Sequence, residues 1–279
     1  MTNLVKRSIF GALFLALTVG CLFWEPGFMG FMMMVTVFAC HETFRILVPE
    51  KRYLKEKLCI YAACLILFVT ASFHYKMGLQ PRYMLVAFLP VVLAWIFMLK
   101  DCASDYAFNA GLFFPLIYVA FPVCSSLILA YPDGFFSGKI ILGMFIMIWC
   151  CDVGAYCLGT AFGQKPGSRK LAPRISPKKS WVGVAGGTVC TLIAAFVIGR
   201  TFGAEYCGVA HWMVLGVIVS TVGVCGDLFE SLLKRHAGIK DSGNVIPGHG
   251  GILDRFDDVL FLFPLFAIYL KLFFSDIVL

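Results

Sequence analysis

Apolar residues fall along this chain in long unbroken blocks, at 8–24, 28–47, 58–75, 83–99, 110–131, 139–163, 181–200, 209–233 and 258–275. A helix crossing the ~30 Å hydrocarbon layer of a bilayer needs about 20 such residues. The pattern therefore predicts an all-α, polytopic integral membrane protein with about nine transmembrane helices. Turn residues or charges separate the blocks: Glu25-Pro26-Gly27, the cluster from Lys51 to Lys57, Gln80-Pro81-Arg82, Lys100-Asp101, Pro132-Asp133-Gly134 and the stretch 200–208. No internal repeat or low-complexity run interrupts the series. Composition agrees, since 60% of the 279 residues are hydrophobic and 14% charged. Soluble domains have roughly 45–50% and 25%, so a water-soluble globule is excluded.

Cytoplasmic loops keep an excess of Lys and Arg. With the N-terminus inside, 18 of the 23 basic residues fall on the cytoplasmic side, and the expected topology is N-in, C-out. Lys6-Arg7 before an apolar run resembles a leader, but the run continues through Leu22-Phe23-Trp24, so an uncleaved first span is expected. The chain divides into helices 1–5 over residues 1–138 and a C-terminal region, helices 6–9, over 139–279, with cytoplasmic loops at 164–180 and 234–257. The net charge of +7 follows the same asymmetry, and nothing points to nucleic acid. Of 12 cysteines, ten lie inside apolar runs and none forms a CxxC pair. They read as soft packing groups rather than a disulfide framework or a zinc site.

Charge within or beside a span is costly, so each instance is a candidate for function. Glu42 and His41 stand near the cytoplasmic end of the second span beside Arg45; a helix-end ion pair and a functional role are both open. Asp152 lies midway along the sixth span, with Tyr156, Gly159 and Gly163 on the same side, as if it faced a crevice beside a close helix contact. The densest polar region is 220–258. At about 100° per residue, Asp227, Glu230, Ser231 and Lys234 share one helix face, and Asp254, Asp257 and Asp258 repeat an i, i+3, i+4 relation at the start of the ninth span. Two carboxylate clusters can meet there. Hard oxygen donors without Cys or paired His favour Mg2+ over zinc or iron. Between the clusters, Pro247-Gly248-His249-Gly250-Gly251 approaches a helix N-terminus, whose free amides favour phosphate oxygens. The other basic loop gathers Arg174, Ser176, Lys178, Lys179 and Ser180 around Pro177. It suits either a polyphosphate clamp or an anchor on anionic headgroups.

The 27 residues from Ser231 to Asp257, SLLKRHAGIKDSGNVIPGHGGILDRFD, resemble the signature of the phosphatidate cytidylyltransferases, also called CDP-diacylglycerol synthases. Upstream, DVGAY at 152–156 and ISPKKSW at 175–181 resemble a second characteristic region of that family. Ser180 and Val182 depart from its usual Thr and Glu. The resemblance covers the C-terminal half. It implies transfer of CMP from CTP to phosphatidate, yielding CDP-diacylglycerol and pyrophosphate. It also implies a homodimer with a cytoplasm-facing polar cavity open sideways to the lipid bilayer, and the short chain without a transit extension points to a bacterial inner membrane. On this reading Asp227, Asp254, Lys234 and Ser231 are catalytic. Asp227, Asp254 and Asp257 hold Mg2+, alone or with a second metal or monovalent cation. Arg235, His249, Gly250, Gly251, Arg255, Lys178, Lys179, Ser176, Lys240 and Asp152 contact substrate. Two other readings stay open: another lipid-linked transferase, such as a polyprenol kinase, and a transporter, which inverted repeats would mark.

Overall fold

The computed structural model of the protein describes residues 3–49, 53–100, 106–246, 248 and 250–274. Helices α1 (Asn3–Leu22), α2 (Glu25–Leu47) and α3 (Leu54–Met77) come first, and a 3-10 turn, Pro81–Ala87, leads into α4 (Phe88–Lys100). Then follow α5 (Tyr106–Pro115), α6 (Phe121–Ala130), α7 (Lys139–Ala161), α8 (Trp181–Arg200), α9 (Val209–Ile218), α10 (Val224–His236) and α11 (Leu253–Phe273). Single π-helical turns join α5 to α6 and α9 to α10, so each of these pairs forms one continuous rod. A helical rod thus stands at each apolar block. Seven of them, among the described residues, are long and apolar enough to cross a membrane. In the other two, α1 has a described apolar stretch of only Ser8–Leu22, and α11 opens on three aspartates. The chain is an all-α, multi-pass membrane protein.

The 164–180 segment is not a plain loop. It folds into an antiparallel hairpin of β1 (Lys170–Ala172) and β2 (Ser176–Ser180), with Lys170 opposite Ser180 and Ala172 opposite Ser176. Ile175 N donates to Ala172 O at 3.1 Å, which puts Pro173 at the turn position its fixed φ suits. The second strand ends on Ser180, whose extended backbone and hydroxyl cap α8 by accepting from Gly183 N at 3.2 Å. This cap fixes where Lys178 and Lys179 enter the molecule.

Two features hold the helices in place around the site. Backbone touches backbone between α7 and α8: a Cβ on Gly154 would lie 2.7 Å from Gly186 O, and one on Gly186 2.8 Å from Gly154 O. In the core, Phe256 of α11 meets Phe14 of α1 at 6.4 Å, Phe31 of α2 at 6.0 Å and Phe145 of α7 at 6.3 Å between ring centroids. The two halves marked by the sequence, 1–138 and 139–279, therefore share one apolar interior.

Candidate active site

Helices α10 and α11 come together because residue 226 is glycine. A Cβ there would stand 2.7 Å from Asp257 O and 3.2 Å from Asp258 Cα. The contact sets the next residue of α10, Asp227, against the acidic start of α11. One carboxylate oxygen each from Asp227, Asp257 and Asp258 lies within 4.8 Å of the others, and among the described residues this is the group able to hold a metal ion. Three hard oxygen donors at that spacing fit a divalent cation that completes its shell with water and ligand oxygens. Lys179, carried in by β2, is ion-paired with Asp227, and Ser231 Oγ donates to Asp227 Oδ1 at 3.3 Å. One turn along, Glu230 is 0% exposed. It pairs with Lys234, whose Nζ also donates to Asp254 Oδ1 at 2.6 Å.

Asp254, expected to join Asp227 on the metal, is held otherwise. Its Oδ2 accepts from Ser242 N at 2.9 Å, Ser242 Oγ at 2.9 Å and Gly251 N at 2.8 Å. Burial raises the pKa of this carboxyl, but Lys234, the Gly251 amide and the Ser242 hydroxyl outweigh that and hold it below the ordinary value. Asp258, one turn further along, takes the place beside Asp227.

The Gly-rich approach to α11 also differs from expectation. Glu42, 1% exposed on α2, accepts from Ile252 N at 3.0 Å, Leu253 N at 2.7 Å and Ser242 Oγ at 2.8 Å. Of the amides expected to cradle phosphate, that of Gly251 is thus bound by Asp254, and those of Ile252 and Leu253 just beyond it by Glu42. The glycines make room for those acids: a Cβ on Gly251 would lie 2.3 Å from Glu42 Oε1, and one on Gly250, at φ +84°, 2.5 Å from Asp254 Oδ2. Glu42 therefore caps a distant helix rather than pairing with Arg45. Pro247 and His249 lie outside the described residues.

The acids open onto adjoining spaces. A polar cavity of about 280 Å3 is lined by Asp152, Asp227, Asp241, Asp254, Asp257 and Asp258 together with Lys234 and Arg255. Beside it, a cavity of about 250 Å3 between α7, α8 and α10 has apolar walls (Ile148, Val184, Val219) and a polar end formed by Lys178, Lys179, Asp152 and Asp227. A third, about 380 Å3, runs between α1, α7 and α11 past Phe14, Phe145 and Trp149 to Asp152 and Arg255. Asp152 lines all three. A charged chamber with apolar annexes can accept a polyanion and a lipid side by side.

Other expected contacts lie further out. Arg235 ties α10 to the hairpin and to its own C-terminal segment, donating to Ile175 O at 3.4 Å and Ile239 O at 2.9 Å. Ser176 pairs within the hairpin and Lys240 is exposed; neither lines these cavities. Sequence reasoning left Asp258 out of the metal set although its i+4 relation to Asp254 was visible, offered only Arg45 as an ion-pair partner for Glu42, and gave none for Ser242.

The sequence profile described as the cytidylyltransferase family matches residues 5–273, nearly the whole chain. The chain belongs to the cytidylyltransferase family. Phosphatidate cytidylyltransferase of Haemophilus influenzae is 42% identical to it over 133 residues, 47% of this chain and 45% of that protein. The enzymes of the same name from Staphylococcus saprophyticus and Staphylococcus aureus (strain COL) are each 46% identical over 132 residues, 47% of this chain and 48% of theirs. The matched stretch thus spans just under half of the length of these relatives.

Proposed function

We propose that this cytidylyltransferase-family protein transfers CMP from CTP to phosphatidate, forming CDP-diacylglycerol and releasing pyrophosphate. The observation that carries this reading is the grouping of Asp227, Asp257 and Asp258 within 4.8 Å, at the junction of a polar chamber with apolar annexes. The printed activity of the relatives supports it. A phosphatidate oxygen attacks the α-phosphorus of CTP, a new P–O bond forms, and the α–β anhydride bond breaks with its electron pair leaving on pyrophosphate. The lipid phosphate is already ionised at neutral pH, so no general base is required, and the difficulty is to bring two polyanions together.

The side chains divide that work. Asp227, Asp257 and Asp258 would hold Mg2+, which when bound supplies charge neutralisation to the triphosphate. Lys178 and Lys179 bring positive charge to the mouth of the apolar annex, where the lipid phosphate enters. Lys234, braced by Glu230 and Asp254, adds a fixed ammonium on the other side, and Arg255 stands at the rim. Ser231 orients Asp227. Asp254 acts through Lys234 and the α11 N-terminus, as a positioning residue.

In the same reading α1 and α11 also span the bilayer, giving nine spans with the N-terminus and the chamber on the cytoplasmic face of a bacterial inner membrane, in a homodimer. The test is incubation of the purified protein with labelled CTP, phosphatidate and Mg2+. Labelled CDP-lipid with equimolar pyrophosphate is the expected product. Label recovered only in unreacted CTP, from protein that elutes as a folded species, would overturn the reading.

A further inference from the structure

A further cavity, of about 440 Å3, lies at the α2–α3 corner, apart from the acidic chamber, and is lined by His41, Phe44, Arg45, Val48, Lys57 and Tyr61 among others. Its chemistry is the reverse of the chamber's. Three of its walls are basic or imidazole side chains, and among the described residues no carboxylate lines it. In the chamber Lys179 and Lys234 each have a carboxylate partner, whereas among the described residues His41 and Arg45 form no ion pair and are exposed. The reason is visible one position away: Glu42, which at i, i+3 could have neutralised Arg45, is turned onto the amides of Ile252 and Leu253. Lys57 is fixed in the wall by donating to Val48 O and lies 5.9 Å from the Phe44 ring centroid. The floor is aromatic, with Phe44 and Tyr61 edge-on at 5.2 Å. Leu54, in its lining, is 60% exposed, and Leu58, one turn further along α3, is 56% exposed.

A guanidinium with no ion pair among the described residues, flanked by an imidazole and a lysine over an aromatic floor and beside an exposed leucine in a membrane protein, suits a ligand that is anionic at one end and apolar at the other. We infer that the α2–α3 corner binds the phosphate of an anionic phospholipid, with His41 and Arg45 gripping the headgroup and acyl chains passing over Leu54 and Leu58. This site is separate from the acidic chamber, and the inference does not depend on the reaction proposed above.

The experiment is native mass spectrometry of the full-length protein released from neutral detergent, titrated in parallel with phosphatidylglycerol, phosphatidylcholine and inorganic phosphate. The wild type is compared with the His41→Gln/Arg45→Gln double variant and with Arg45→Lys. Phosphatidylglycerol should bind the wild type and Arg45→Lys, and the double variant about ten-fold more weakly, the loss expected for removing charge-assisted contacts. Phosphatidylcholine should not distinguish the proteins. If inorganic phosphate alone shows the same wild-type preference and the lipid binds no better than it, the phosphate site stands but its ligand is free phosphate. Equal binding of both phosphatidylglycerol and phosphate by wild type and double variant would overturn the proposal. Helicity by circular dichroism verifies folding, and the single variant Arg45→Glu replaces the double variant if that one fails to fold.

Discussion

Asp254 and Asp258 lie one helical turn apart and do different work, because their neighbours differ. Asp258 shares its surroundings with two other carboxylates, a repulsive arrangement that a divalent ion relieves. Asp258→Asn and Asp227→Asn should each lower CDP-lipid formation by about a hundred-fold or more, on the scale of losing a charge-stabilising group. Each should also weaken Mn2+ binding followed by electron paramagnetic resonance. Asp254 has its charge satisfied by Lys234 and by donors from Ser242 and Gly251. Its lowered pKa means that the stabilisation is fully present above the ordinary carboxylate range and is lost as pH falls through the lowered value. Asp254→Asn should therefore unfold at a lower temperature than wild type at neutral pH, and the difference should shrink on acidification. Glu42→Ala leaves two amides without their acceptor, while the Ser242 hydroxyl keeps Asp254. At about 1–3 kcal/mol for a buried polar group left unpaired, the loss should reach several kcal/mol in a denaturation series, with Glu42→Gln intermediate.

The α10–α11 contact depends on a missing side chain. Gly226→Ala places a methyl against the main chain of Asp257, where no side chain can swing aside, so the helices must separate. The expected outcome is a protein of normal helicity that has lost Mn2+ affinity and turnover together; retention of both would show that the contact tolerates a methyl. The sequence made these helices legible, since unbroken apolar blocks and the i, i+3, i+4 aspartates put two acidic faces at one junction. Which aspartate faces the partner helix was not legible, because that depends on the rotation of α11, and the rotation is set by Glu42 and Ser242 gripping its first turn. Gly250 and Gly251 were legible as an approach to a helix N-terminus. What fills that terminus was not, because backbone amides accept a protein carboxylate as readily as a phosphate. The hairpin was hidden because it is short and rich in charge, Pro and Ser, without the alternation that marks a strand.

Across the whole molecule, basic residues and hydropathy prescribe a topology that chemical labelling can check. With the exposed Cys157 and Cys225 replaced, a cysteine at Arg169 should react with a membrane-impermeant maleimide only after cells are opened, and one at Asp133 in intact spheroplasts. The reverse pattern would invert the N-in assignment. The fold also ties its beginning to its end, through Phe256 against Phe14 and Phe31 and through Glu42 on the α11 amides. That last tie has a consequence for biosynthesis. Glu42 leaves the ribosome 210 residues ahead of Ile252, so the nascent chain carries an acid in its second helix whose donors have yet to be translated, and a charge stranded at membrane depth is costly. A chain truncated before the final helix never gains the two amide donors that satisfy this acid.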